Sequence, residues 1–113
     1  MWRLKSSAAK THLMLAVAFP ELCTELRLLL GQKGEEVLVR QVPQLKIVER
    51  CRCGDDFCAT IYTRPKPWGP TLRCIDLSPV RGMIILDVVD GQIASVEILY
   101  RDEIRKTLLK MLP

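Results

Sequence analysis

The strongest structural signal in the chain is the segment of residues 83–99, whose sequence is MIILDVVDGQIASVEIL. Two apolar runs, rich in Ile and Val, flank the dipeptide Asp90-Gly91. Both residues of that dipeptide tolerate the positive φ angles of a type I′ turn, whose twist matches that of paired strands. The segment therefore predicts an antiparallel β-hairpin.

The residues before this hairpin have the pattern of further strands. Residues 45–53 and 58–63 are strand-like, and the four residues 54–57 between them have the composition of a hairpin loop. Residues 64–70 contain three prolines and a glycine, which indicates a loop, and residues 71–77 predict a third strand. With the final hairpin, these segments predict a β-meander of about five strands.

Helical patterns lie on either side of these strands. In residues 19–30 leucines recur at helical spacing and Pro20 suits the first turn, while residues 11–18 predict a separate short helix. For residues 35–42 a helix is favoured over a strand, and a last helix begins at Asp102. The predicted fold is α+β: N-terminal helices, an antiparallel meander and a C-terminal helix packed on one face.

Composition limits the class of protein. The chain has 113 residues, 49% hydrophobic and 27% charged, with a net charge of +4, which predicts one small globular domain over residues 1–113. Five cysteines, an odd number, favour reduced thiols and a cytoplasmic location. No stretch approaches the roughly 20 apolar residues of a membrane span, so no membrane role is expected.

The end of the chain also has a general likeness to other proteins. Residues 82–110 resemble small bacterial proteins that end in a strand, an Asp-Gly turn, a strand and a helix. The resemblance covers only this supersecondary pattern. It implies the arrangement of these elements and no activity.

Four cysteines form the most compact cluster of reactive side chains. Across the predicted loop Cys53 lies opposite Cys58, and Cys51 shares their face of the hairpin. Cys74 joins them if Thr60 lies opposite it, and four thiolates then make a closed structural zinc site. The simplest interpretation is buried free thiols that pack as small hydrophobic side chains. This metal site and a Cys53–Cys58 disulfide or redox pair are two further interpretations.

Catalytic patterns are weak in this sequence. A thiol nucleophile needs a neighbouring base, and the only histidine, His12, lies inside an apolar run. In the last hairpin Asp87 is expected near Ser95 and Glu97 near Ile85, so the two carboxylates do not form a facing pair. A solvated strand face explains both acids, and no enzymatic activity is expected.

The proline-rich loop is the predicted binding surface. Its aromatic and basic side chains can anchor a protein partner or stack on single-stranded bases, although Trp68 can equally fold back as a lid over the sheet edge. Two arginines of the preceding strand are expected on the face opposite the cysteines. The predicted binding residues are Tyr62, Arg64, Lys66, Trp68, Arg50 and Arg52.

These patterns favour a non-catalytic cytosolic interaction module with a protein partner and a possible structural zinc site. A nucleic-acid-binding protein and a small thiol-redox protein are the competing hypotheses. A homodimer is a further possibility, because the apolar run of residues 83–86 can pair edge to edge with a second copy.

Overall fold

A computed structural model of the chain describes residues 13–113, so His12 and part of the predicted helix over residues 11–18 lie outside the described residues. Four N-terminal elements follow one another. They are the helices α1 (Leu15–Ala18), α2 (Pro20–Gln32) and α3 (Glu36–Gln41) and a 3-10 helix (Val42–Gln44). Pro20 opens α2, as expected, and the helix favoured for residues 35–42 is confirmed. Among residues 13–113, no helix has the length and apolar character needed to cross a bilayer.

Five strands and a last helix complete the described chain. They are β1 (Glu49–Arg50), β2 (Ile61–Tyr62), β3 (Leu72–Leu77), β4 (Met83–Val89), β5 (Gln92–Leu99) and α4 (Asp102–Met111). All neighbouring strands are antiparallel. The α+β class, the five-stranded antiparallel sheet and the C-terminal helix are therefore confirmed.

The strand order differs from a simple meander. The order is β1-β2-β5-β4-β3, so β2 pairs with β5 and β3 lies at the far edge of the sheet. The burial of the strands follows this order: five of the eight residues of the central strand β5 are buried, whereas four of the six residues of the edge strand β3 are exposed. The proline-rich loop carries the chain from β2 to the opposite edge.

The β4–β5 hairpin has the predicted turn. Asp90 and Gly91 have φ angles of 53° and 77°, as a type I′ turn requires. A bulge follows, since Asp87 pairs with Ser95 while Val88 pairs with Ile93. The bulge leaves Ala94 outside the ladder between β4 and β5, and its carbonyl accepts hydrogen bonds from the backbone N–H groups of residues 63 and 64. The hairpin thereby fixes the start of the proline-rich loop.

The same strands present two different faces. The core face, against which the helices pack, carries a cross-strand row of fully or nearly fully buried aliphatic side chains: Ile61, Val96, Leu86 and Ile75. The opposite face, called here the cysteine face, carries the neighbouring row: Tyr62, Ser95, Asp87 and Cys74. Four leucines of α2 (Leu22, Leu26, Leu29 and Leu30) and residues Ile104 and Leu108 of α4 belong to the same core as the first row.

The predicted homodimer requires residues 83–86 to lie at an edge of the sheet. Strand β4 is paired on both sides, with β3 and with β5, so residues 83–86 offer no free edge to a second copy. The prediction fails in this detail because the strand expected at an edge is internal. The strand at that edge of the sheet is β3.

Candidate metal centre

The β1–β2 hairpin brings three of the predicted cysteines together. Its ladder is only two residue pairs long, Glu49 with Tyr62 and Arg50 with Ile61. Beyond the ladder the backbone N–H of Cys51 still donates to the Thr60 carbonyl at 3.0 Å. The same register brings Cys53 opposite Cys58, as the sequence predicts. The Sγ atoms of the three cysteines, Cys51, Cys53 and Cys58, all lie within 4.8 Å of one another.

This spacing suits a thiophilic metal ion. Sulfur atoms bound tetrahedrally at a Zn–S distance of about 2.3 Å lie about 3.8 Å apart. The three thiols are therefore within about 1 Å of the required separation. Cys53 is exposed and the other two are partly buried, so the cluster is reachable from solvent. These three side chains can hold a metal ion.

Hydrogen bonds favour one thiolate within the cluster. Burial raises the pKa of Cys51, but hydrogen bonds from the Cys53 backbone N–H, the Tyr62 hydroxyl and the Cys53 and Cys58 thiols outweigh it, so the pKa lies below its ordinary value. The Tyr62 hydroxyl is held as a donor, because burial and then the Cys51 hydrogen bond raise the pKa of Tyr62 to about 12. Of Cys51 and Cys53, Cys51 is therefore the thiol that ionises first.

The second thiol ionises with more difficulty. The Asp55 backbone N–H lowers the pKa of Cys53, but the hydrogen bond to Cys51, slight burial and the neighbouring Cys58 thiol raise it to about 11. A divalent cation removes this penalty, because it binds all three sulfurs as thiolates and releases their protons. Metal binding would therefore offset the difference between the low pKa of Cys51 and the high pKa of Cys53.

The cluster adjoins a narrow cleft beside helix α4. Its volume is about 30 Å³, close to the share of one water molecule in the liquid. Arg50 and Arg105 line it, together with Asp55 and Leu108. A divalent ion with three thiolates has a net charge of −1, which two guanidinium groups favour. The cleft has room for a water molecule beside the sulfur atoms.

The fourth predicted ligand lies elsewhere. Cys74 is on β3, opposite Asp87, and its Sγ donates to the Asp87 carboxylate at 3.1 Å. Strands β4 and β5 separate it from β2, which places it about 14 Å across the sheet. The pairing of Thr60 with Cys74, which Cys74 needs in order to join the cluster, is absent because β2 pairs with β5. Cys23 packs in the core on α2.

The predicted binding loop folds back on the cysteine face. Trp68 is partly buried, its Nε1–H donates to the Arg64 carbonyl at 3.3 Å, and its ring meets the Tyr62 ring edge-on at 6.2 Å. The Lys66 ammonium lies over both rings, 4.6 Å from the Tyr62 centroid and 5.2 Å from that of Trp68. Of the two arrangements expected for Trp68, the structure has the lid.

The arginines predicted to bind a ligand have partners within the fold. Arg50 donates to the Leu112 carbonyl and, at 3.1 Å, to that of Cys51, while Arg52 contacts Glu49 and the Pro113 carbonyl. Arg64 donates to the Val89 carbonyl at 3.0 Å. A phosphate backbone would have to compete with these contacts.

Sequence reasoning missed the role of the acids on this face. Asp87 accepts hydrogen bonds from Ser95 and Cys74, and Glu97 lies on the same face one step along β5. The predicted pairings of Asp87 with Ser95 and of Glu97 with Ile85 are confirmed, but diagonal neighbours on a sheet still interact. Burial and then the Asp87 charge raise the pKa of Glu97. The sequence does contain a sign of this role, because Asp87 and Glu97 are the only charged residues of β4 and β5.

Comparisons with known proteins find no family model, no curated protein and no solved structure that matches this chain. The geometry of the described residues therefore carries the functional inference. Within it, the three-thiol cluster combines a short sulfur spacing with a favoured thiolate, so it could hold a metal ion.

Proposed function

We propose that this protein is a non-catalytic interaction module of the cytosol, in which Zn²⁺ bound by Cys51, Cys53 and Cys58 fixes the β1–β2 hairpin. The single observation that carries the metal assignment is the mutual approach of the three sulfurs to within 4.8 Å. Thiolate ligands select soft or borderline ions such as Zn²⁺. A cytosolic location keeps these thiols reduced and able to bind.

A structural role suits the local fold. The β1–β2 ladder has only two residue pairs, and the loop of residues 54–57 that follows has exposed side chains. On the first arm, residues 51–53 have one backbone hydrogen bond to the second arm, whereas residues 57–59 also bond to Ile98 and Tyr100, so the first arm opens at the lower cost in free energy. A metal ion that links Cys51, before the loop, to Cys58, after it, closes the hairpin by coordination.

The coordination sphere has one position for a ligand from outside the cluster. Zinc in proteins takes four ligands, and the cluster supplies three. The adjoining cleft of about 30 Å³ accommodates a water molecule there. Catalytic zinc sites also keep an open position, but they need space for a substrate beside the metal. The small cleft favours the structural role.

The metal assignment is tested by native mass spectrometry of reduced protein purified without chelators. We expect one zinc ion per chain in the wild type and in the matched control Cys74→Ser, because Cys74 lies outside the cluster. Cys51→Ser, Cys53→Ser and Cys58→Ser should each weaken zinc binding by at least about tenfold. Wild-type protein that takes up no zinc in a titration, or equal binding by the cluster variants, would overturn the assignment.

The same spectra distinguish the thiol-redox hypothesis. A redox protein would lose two mass units on mild oxidation, with a disulfide between two cluster cysteines, and would regain them with a reductant. We expect bound zinc to protect the thiols, so that alkylation labels the cluster cysteines more slowly with zinc than after chelation. Equal labelling rates with a reversible disulfide would replace the zinc assignment by the redox one.

The interaction role is supported by the proline-rich loop. Contacts fix its start: the Ala94 carbonyl accepts from the N–H groups of Thr63 and Arg64, and the Arg64 guanidinium donates to Val89. Pro65 and Pro67 are exposed at its tip. Residues that are held before binding lose little conformational entropy in a complex.

A photo-crosslinking residue at Pro67 tests this role in cells. We expect an adduct of one defined mass with a protein partner, lost on Trp68→Leu, which removes the aromatic lid. The matched control is the same crosslinker at Val37, which is 60% exposed on α3. Equal adducts from both positions, or none from Pro67, would contradict the interaction role and leave the zinc result unaffected.

A further inference from the structure

A second site lies on the cysteine face, beside the metal centre. It is a hollow of about 200 Å³ that shares Cys51 and Cys58 with the metal centre, and its lining also includes Tyr62, Trp68, Asp87 and Glu97. The Tyr62 and Trp68 rings meet at 66°, with centroids 6.2 Å apart, so they form two walls of a corner. We call the two rings and the two carboxylates beside them the cage.

A cation already occupies the aromatic corner. The ammonium of Lys66 lies 4.6 Å from the Tyr62 centroid and 5.2 Å from the Trp68 centroid, within the range of cation–π attraction. Its side chain is largely exposed, so this contact leaves the lysine free to withdraw into solvent. The position of Lys66 thus indicates that the two rings attract an ammonium cation.

The carboxylates of the cage have no matching positive charge. Among residues 13–113, neither Asp87 nor Glu97 forms a salt bridge, and Lys66 lies outside salt-bridge distance of both. Ser95 donates to Asp87 at 2.8 Å and holds that carboxylate in place. Two carboxylates beside two aromatic faces, one of them held by Ser95, attract a cation that can shed its water.

We infer that the cage binds a quaternary ammonium group, with Lys66 as an internal competitor. A methylated ammonium is weakly hydrated and presents methyl groups to the rings, whereas the primary ammonium of Lys66 keeps its water more strongly. The volume of about 200 Å³ is sufficient for such a headgroup. The inference names the chemistry of the interaction role proposed above, and it does not depend on bound zinc.

The Lys66 contact has a quantitative consequence. A ligand binds only the fraction of molecules in which the lysine has left the rings, so the apparent Kd is the intrinsic Kd divided by that fraction. Lys66→Gln removes the competitor and keeps a side chain of similar length. We expect it to lower the apparent Kd about threefold or more.

The test is a titration followed by ¹H–¹⁵N NMR at the indole N–H of Trp68. The chain has two tryptophans, and the Trp68→Leu variant identifies which of the two indole signals belongs to Trp68. Choline is the probe, and 3,3-dimethyl-1-butanol, its neutral isostere, is the control for shape. We expect a saturable shift with choline and none with the alcohol at the same concentration.

The variants separate binding from folding. Glu97→Gln should raise the choline Kd about threefold or more, while the remaining spectrum stays that of a folded protein. Trp68→Leu should raise the choline Kd at least about tenfold. Because this variant lacks the indole, its titration is followed at the backbone amide of Tyr62. Equal shifts with the alcohol would overturn the inference. So would the absence of a shift in both the wild type and Lys66→Gln.

A peptide containing trimethyllysine distinguishes the two sources of such a group. Binding at least about tenfold tighter than choline assigns the cage to a methylated protein partner, since flanking residues then add contacts. Equal affinity assigns it to a small solute. The unmethylated peptide must bind more weakly than its trimethylated form, or the inference fails.

Discussion

The two faces of the sheet are built by the same strands in the same register, yet their chemistry is opposite. The core face carries aliphatic side chains that are at most 7% exposed in the row Ile61, Val96, Leu86 and Ile75. One residue further along each strand, the cysteine face carries hydroxyl, carboxyl and thiol groups in the row Tyr62, Ser95, Asp87 and Cys74. The period of two in a strand is what allows one sheet to separate stability from chemistry.

The difference shows where changes in sequence are costly. On the core face, each side chain is covered by the helices on one side and by its cross-strand neighbours on the others. On the cysteine face, the side chains are held by hydrogen bonds to one another, such as Ser95 to Asp87 and Cys74 to Asp87. Burial of apolar area contributes more free energy than such exposed or partly exposed polar contacts.

The largest effect is expected on the core face. Leu86→Ala should lower the free energy of unfolding by about 2–5 kcal/mol, because Leu86 is fully buried and the structure cannot fill the cavity. Urea denaturation measures it through the midpoint. The neighbouring substitution Asp87→Asn, on the other face, should cost about 1 kcal/mol or less. Similar costs for the two substitutions would contradict the separation of roles between the faces.

Zinc should stabilise the hairpin that borders the cysteine face. At a free concentration about 100 times its Kd, it should raise the free energy of unfolding by about 2.7 kcal/mol. Thermal melts with zinc and with a chelator measure the difference. Hydrogen exchange should show new protection at the Cys51 amide, which bonds to Thr60, with no local gain within β4. A melt unchanged by zinc would refute this expectation.

A hydrogen bond on the cysteine face has the next largest effect. Ser95 is completely buried and donates to the Asp87 carboxylate at 2.8 Å. Ser95→Ala should cost about 1–2 kcal/mol, because the charged acceptor loses a partner in a partly buried position. The control Cys74→Ala removes the other, exposed donor and should cost about 0.5 kcal/mol or less. Chemical denaturation compares the two, and the reverse order would show that the exposed contact matters more.

The sequence predicts the core face better than the cysteine face, for a physical reason. The Asp90-Gly91 turn and the alternation around it are local signals, and they fix the β4–β5 pairing and its register. The pairing of β2 with β5 depends on which strand gains most from burial across the whole sheet, and no local pattern encodes that. This single non-local choice determines that Cys74 lies far from the other cysteines.

In the candidate site, too, the sequence predicts the local contacts and not those that depend on strand order. The loop of residues 54–57 is a local feature, so the approach of Cys53 to Cys58 follows from it, and Cys51 follows from strand periodicity. The cage depends on β5 lying beside β2 and on the loop folding back, so Glu97 and Trp68 come together only in three dimensions. Local contacts were predicted, and contacts that depend on strand order were not.

The smallest effect is a dependence on pH at Glu97. Burial and then Asp87 raise its pKa above the value in the unfolded chain, so the folded protein holds this proton more tightly. Its contribution to stability is complete below the unfolded pKa and is lost as the pH rises through the folded pKa. Glu97→Gln should remove that loss and raise the free energy of unfolding at neutral pH by about 0.5 kcal/mol or less.

Glu103, at the start of α4, provides a control of opposite sign. The Arg101 hydrogen bond lowers the pKa of Glu103, so its contribution is present above the unfolded pKa and is lost as the pH falls through the folded pKa. Glu103→Gln should therefore reduce stability at neutral pH and have no effect in acid. Urea denaturation across the acidic to neutral range compares the two variants. If both variants change stability in the same direction at neutral pH, the pKa of Glu97 is not raised by folding.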